Sequence, residues 1–182
     1  MTSQKIFMIA DTHFGDDAII RYEDRPFESA AAAREEMIRR WNETVAEDDI
    51  VYHLGDFADL PDEDCADILQ RLNGRKRLIM GNHDASRSPA QWRALGFDEC
   101  YDLPVIFSDW YILSHEPLYI SRSMPYANIF GHIHSMPLYK TIGPQSACVS
   151  VERTDYRPVL FDDLRQKIIA EAKRAGGPAY PA

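Results

Sequence analysis

No apolar run in this chain approaches the roughly 20 residues that a bilayer-spanning helix needs, which argues against helical insertion in a membrane. Cysteine is scarce: Cys65, Cys100 and Cys148 are widely spaced, with no CxxC pair. That pattern argues against a disulfide framework and a thiolate-rich structural zinc site, and reads as three ordinary thiols in a reducing compartment. Positive charge is in deficit, with 20 Lys and Arg against 29 Asp and Glu and a formal net charge of −9. A uniformly acidic surface repels a long phosphate backbone, so duplex nucleic acid is not an expected partner. Internal repeats, low-complexity linkers and a GxSxG nucleophile elbow are all missing. The opening MTSQKIFMIADTH carries one Lys and five apolar residues before an Asp, too short for the apolar region of a secretory signal. A soluble cytoplasmic protein is the expectation.

What is present fits one globular domain. The chain has 182 residues, 45% of them hydrophobic. A chain of that length buries roughly two-thirds of the surface its unfolded form exposes, so it needs no cross-links. One domain is expected over residues 1–175, followed by a flexible tail, GGPAYPA, at 176–182.

Short apolar runs rich in Ile, Val, Tyr and Phe recur at strand length: KIFMIA (5–10), IVYHL (50–54), RLIM (77–80), WYILS (110–114) and NIF (128–130). YDLPVIF (101–107), MPLYKTI (136–142) and ACVSV (147–151) are three further strand candidates. Helical patterns lie between them. Ser29 is placed to cap a helix to about Val45, with Met37, Ile38, Trp41 and Val45 on one face. Pro61 opens a second that stops near Asn73-Gly74, SPAQWRALG forms a third, and Phe161 to Ala175 forms a fourth. Strands alternating with helices, then mainly strands, predict an α/β fold with a mixed sheet system.

Five of these strands end in polar clusters: Asp11-x-His13, Gly55-Asp56, Gly81-Asn82-His83-Asp84, His115 and Gly131-His132-x-His134. In open α/β folds ligands sit beyond the carboxyl ends of strands, so the clusters are expected to converge. They contain five of the six histidines. Imidazole, carboxylate and amide donors together suit Zn, Fe, Mn or Ni. Asp11 with His13, and His132 with His134, are i,i+2 pairs, which in an extended segment project to one face. Two metals about 3.5–4 Å apart need a shared ligand, and Asp56, on a Gly-led turn at a strand end, is the natural bridge. The glycines at 55, 81 and 131 permit tight turns or close approach.

The ordered pattern DxH, GD, GNHD, H, GHxH resembles that of the calcineurin-like metallophosphoesterases. The stretches DTHFGDDAII, RPF and DDIVYHLGDF are similar to those of small bacterial and phage members. The resemblance runs from Ile6 to about Val151. It implies two mixed β-sheets packed as a sandwich flanked by helices, with a dinuclear centre at one edge. It further implies that Asp11, His13, Asp56 and His134 hold one divalent ion, that Asp56, Asn82, His115 and His132 hold the other, and that His83 is the catalytic acid. Manganese is the favoured metal. Such a centre offsets the charge of a phosphate ester and supplies hydroxide for in-line attack, while His83 protonates the leaving alkoxide.

Other residues carry two readings each. Asp84 either orients His83 or caps its loop. His53 is a buried core histidine or a support for Asp56. Arg21 and Arg25 are candidate phosphate clamps or members of local salt bridges, and Asn82 is a candidate substrate contact as well as a ligand. Asp16 and Asp17 are expected in a solvated loop, the basic run RLNGRKRL (71–78) on solvated surface, Trp92 in the core, and Tyr119 near substrate. The expected substrate is a small phosphodiester or monoester, including nucleotide-derived ones. A phosphoprotein phosphatase and a non-catalytic scaffold of the same fold are the rival readings.

Overall fold

The computed structural model describes residues 4–121, 124–137 and 143–176. In chain order its elements are β1 (Ile6–Ile9), α1 (Asp17–Tyr22), α2 (Ala30–Thr44), β2 (Ile50–His53), α3 (Asp62–Arg71), β3 (Arg75–Ile79), α4 (Pro89–Leu95), β4 (Glu99–Tyr101), β5 (Val105–Phe107), β6 (Tyr111–Leu113), β7 (Ala127–Phe130), β8 (Ser146–Cys148), β9 (Val159–Leu160) and α5 (Phe161–Arg174). The strands form two mixed sheets. The first has the order β4-β3-β2-β1-β9, parallel except for the β1–β9 pair. The second has the order β5-β6-β7-β8, parallel except for β5–β6.

The period-2 alternation of β1 divides the interior. Phe7 and Ile9 face a core shared with Met37 and Trp41 of α2, Ile68 and Leu69 of α3, and Trp92 of α4. Met8 and Ala10 face the opposite way, into a core between the sheets that includes Leu113, Ile129 and Ala147. A sheet covered on both faces needs strands apolar on both faces, which is why KIFMIA and IVYHL read as continuous runs. Trp41 and Trp92 are 1% and 0% exposed, and truncating either to Ala would cost about 3–5 kcal/mol.

The helices begin where their caps lie. Ser29 accepts from Ala32 N at the start of α2, and Ser88 with Gln91 forms a capping box ahead of Pro89 at the start of α4. In α5, Asp162 and Asp163 occupy the first turn and Lys173 and Arg174 the last, as the helix dipole favours, while Leu164, Ile168 and Ala172 cover the inter-sheet core.

Several expectations need correction. The run 101–107 is not one strand: Tyr101 ends β4 in the first sheet and Val105 begins β5 in the second. Pro104 offers no N–H to a ladder, so the chain changes sheets there. Asp16 and Asp17 are solvated as expected, Asp17 being exposed, but they start a helix and not a loop. Asp16 caps α1 by accepting from Ala18 N at 2.7 Å, and Asp17 accepts from Ala30 N at 2.8 Å. The basic run does lie at the surface, with Arg75 exposed and Lys76 and Arg77 half-buried, but these three already belong to β3. Residues 138–142 of the MPLYKTI candidate and 177–182 of the tail lie outside the described residues.

β1, β2 and β3 run parallel, as do β6 and β7, and the two sheets are joined just past the end of β1. Ala10 N donates to Val149 O at 3.0 Å and Val151 N donates to Ala10 O at 3.1 Å. The carboxyl ends of five strands therefore open on one rim.

Candidate metal centre

Asp11 and His13 follow β1, Asp56 follows β2, Asn82 and His83 follow β3, His115 follows β6, and His132 and His134 follow β7. Asp11, His13 and His134 offer ligand atoms within 4.8 Å of one another, and so do Asp56, His115 and His132. Asp56 lies between the groups: its Oδ2 is 3.4 Å from His13 Nε2 and 3.3 Å from His115 Nε2. The seven residues expected to hold metal are thus brought together, Asn82 through its Oδ1 at 3.0 Å from His115 Nε2; His13 also groups with Asp56 and His83, and His134 with Glu23 and Glu152.

They do not converge by extended geometry. Asp11, His13, Asp56, His132 and His134 all have positive φ, between 45° and 68°. The i,i+2 argument assumed extended backbone, and that premise fails at both pairs. Left-handed backbone is uncommon for non-glycine residues and costs of order 1 kcal/mol or more at each. The fold holds that strain at five residues around one point. Gly81 and Gly131 allow the close approach: a Cβ on Gly81 would lie 2.3 Å from Asp56 Oδ1, and one on Gly131 would lie 2.6 Å from Asp11 Oδ2.

The proton inventory fits a cation. His115 Nδ1 meets the Leu54 carbonyl at 2.8 Å, which only accepts, so that nitrogen carries the hydrogen and Nε2 presents a lone pair. That lone pair faces Asn82 Oδ1 at 3.0 Å and His132 Nδ1 at 3.1 Å, and the latter two are themselves 3.1 Å apart. Lone pairs this close require a proton or a cation among them. Without a cation a proton does the work: burial opposes charging of His115, but Asp56 outweighs it and raises the imidazole pKa to about 9. Burial likewise opposes ionisation of Asp56, yet the His115 and His13 imidazoles hold its carboxyl well below the usual range. His13 Nε2 is buried and has no hydrogen-bond partner among the described residues, since the 3.4 Å approach to Asp56 is too poorly aligned to be one.

His83 occupies the rim. Its backbone N–H donates to Asp56 Oδ1 at 2.9 Å, and its exposed ring stands 4.9 Å from that of His13. Asp84 caps the loop. Its carboxylate accepts from Asp56 N at 2.7 Å, Gly81 N at 2.8 Å and Phe57 N at 3.0 Å, so both oxygens are committed to backbone. His53 is a core residue. The Thr12 hydroxyl donates its one proton to Phe57 O at 2.7 Å and so accepts from His53 Nε2 at 2.9 Å. Burial pushes the His53 pKa down to about 3.

Arg25 is not a phosphate clamp. Its side chain is fully buried and donates to Thr12 O, Asp11 O and Glu152, beneath the centre rather than into it. Arg21 is exposed on α1 and has no ion pair among the described residues. Tyr119 is 77% exposed, and Trp92 is in the core.

Glu152 is the site residue that the sequence reading missed. It accepts from Arg25 and stands 3.1 Å from His134 Nδ1, which fixes the proton there and frees Nε2. The VSVER context carries no local signal for this, because its partners are 127 and 18 residues away. A cleft of about 250 Å³ opens beside Asn82 and His115, between the turn holding Leu103 and Pro104 and the loop holding Glu116 and Leu118. Asn128 fixes that loop by accepting from Leu118 N at 2.8 Å.

The family model for the calcineurin-like phosphoesterases matches residues 4–143. An uncharacterized protein of Methanocaldococcus jannaschii is 34% identical over 181 residues, covering 95% of this chain and 96% of its own. The crystal structure of a protein of unknown function from Aquifex aeolicus has a TM-score of 0.66 to this one. It covers 90% of this chain and 99% of that chain at 24% identity, a likeness of fold.

Proposed function

The chain belongs to the calcineurin-like phosphoesterases, and on that premise we propose that it hydrolyses a small phosphate ester, preferentially a diester, at a centre of two divalent ions. The observation that carries the reading is the pair of imidazole nitrogens on either side of Asp56 Oδ2, His13 Nε2 at 3.4 Å and His115 Nε2 at 3.3 Å. Asp11, His13, Asp56 and His134 would hold one ion, and Asp56, Asn82, His115 and His132 the other. Bound there, such ions offset phosphate charge and bring the pKa of water toward neutrality.

The residues of the chain supply the rest. Asp84 and Leu54 hold Asp56 and His115 in place before any substrate arrives. His83, fixed through its backbone and with its ring exposed at the rim beside His13, donates the proton that the leaving oxygen needs. The neighbouring cleft of about 250 Å³ suits a small organic group better than a peptide segment. Manganese remains the favoured metal, and the cytoplasm the favoured compartment; no helix among the described residues is long and apolar enough to cross a membrane.

The test is a screen of aryl phosphodiesters, aryl phosphomonoesters and phosphopeptides across added Mn, Fe, Zn and Ni, with metal content measured on the same preparation. Turnover of a diester that requires metal and is lost in Asp56→Asn is the expected result. Metal-independent turnover, or phosphopeptides as the best substrates, would overturn the proposal.

A further inference from the structure

We infer that the buried Arg25–Glu152 ion pair is a positioning device for the cluster of Asp11, His13 and His134, and not for the cluster around His115. Glu152 Oε1 meets Arg25 Nη2 at 2.6 Å and Nε at 2.9 Å, and the same oxygen meets His134 Nδ1 at 3.1 Å. From the other side Arg25 donates to Asp11 O at 2.7 Å and Thr12 O at 2.8 Å. One guanidinium and one carboxylate therefore tie the loop after β1 to the loop after β7. These loops hold Asp11, His13 and His134 at φ of 60°, 47° and 45°.

Stability alone is a poor reason for such a pair. Side-chain exposure is 0% for Arg25 and 5% for Glu152, and a buried ion pair is often no more stable than apolar residues of similar volume. Glu152 Oε2 is itself buried and has no hydrogen-bond partner among the described residues, so the carboxylate is not placed to maximise its own bonding. Its charge instead fixes the His134 tautomer and strengthens Nε2 as a ligand. In the other cluster the hydrogen bond of His115 Nδ1 is to a neutral carbonyl, that of Leu54, with the nearest Asp11 oxygen 3.9 Å away. Glu152 also lies beyond residues 4–143, the stretch that the family model matches.

The inference rests on the two-ion reading, and its test separates the two. Mn(II) binding to the full chain is followed by the EPR signal of free Mn(II), with urea unfolding of the metal-free protein alongside. Glu152→Gln is expected to weaken one bound ion by about 10- to 100-fold and leave the other unchanged. Because a lone buried Arg25 can unfold the chain, R25M/E152L provides the second arm: it keeps the fold and shows the same selective loss. If R25M/E152L binds both ions as the parent does, the inference fails. If both ions weaken in step with stability, the pair is only structural and the inference also fails. A parent that binds no ion refutes the two-ion reading, and this inference with it. A parent with two ions that is indifferent to Glu152→Gln refutes this inference alone.

Discussion

Asp84 tests how the loops are held, and its substitution has a graded outcome. Its carboxylate is the sole described acceptor for three backbone N–H groups, Asp56, Gly81 and Phe57, and the side chain is 0% exposed. Oδ2 takes two of them and Oδ1 takes one. In Asp84→Asn the amide oxygen can serve the two, leaving the amide NH2 against Phe57 N–H. One unsatisfied buried donor costs about 1–3 kcal/mol. Burial pushes the Asp84 carboxyl pKa up, so removing its charge returns part of that cost. The expectation for Asp84→Asn is about 1 kcal/mol. Asp84→Ala strands all three donors and opens a void, for about 3–6 kcal/mol, a large share of the roughly 5–15 kcal/mol that keeps a domain folded. The assay is urea unfolding in chelator, with the midpoint falling in the order parent, Asn, Ala at constant slope. Mn(II) affinity should fall in the same order, because Asp56 and Gly81 are the residues released. An Ala variant within about 1 kcal/mol of the parent would refute the capping argument, since three buried donors cannot go unpaired at that cost.

Gly131→Ala should abolish metal uptake by elemental analysis, because its Cβ would lie 2.5 Å from Ala10 Cβ and 2.6 Å from Asp11 Oδ2. His53, held near pKa 3 by burial against a free value of 6.5, binds its proton more readily in the unfolded chain. Its contribution is therefore intact above pH 6.5 and lost as pH falls toward 3, amounting to about 3 kcal/mol by pH 4. His53→Phe should flatten that part of the stability–pH curve measured by urea unfolding. His83→Ala should lower kcat by about 100-fold or more while two Mn(II) ions still bind; loss of one ion would make His83 a ligand rather than an acid.

The polar clusters were legible because strand ends announce themselves locally: a short apolar run stops at Gly, Asp, Asn or His, and five such stops share one end of the sheets. Residue type then sufficed to name donors for metal. The split at Pro104 was also written in the chain, but YDLPVIF reads as one apolar run when only its hydrophobicity is followed. The short helix α1 was hidden for a similar reason, since six residues give too little periodicity to stand out from a turn. Arg25 was misjudged because charge near a metal motif looks the same whether it faces solvent or lies beneath the floor.

The sequence by itself determined the chemistry of the centre, because donor type is a property of each side chain and travels with it. It also determined most of the strands and helices, because hydrophobic period is local. Only the tertiary structure decided how Asp11, His13, Asp56, His132 and His134 come to face one another. Left-handed backbone is unfavourable residue by residue and persists only when distant partners impose it. The supports of the site follow the same rule: Glu152 serves His134, and Asp84 serves Asp56. Such partnerships depend on contacts across 18 and 28 positions, and no local pattern encodes them.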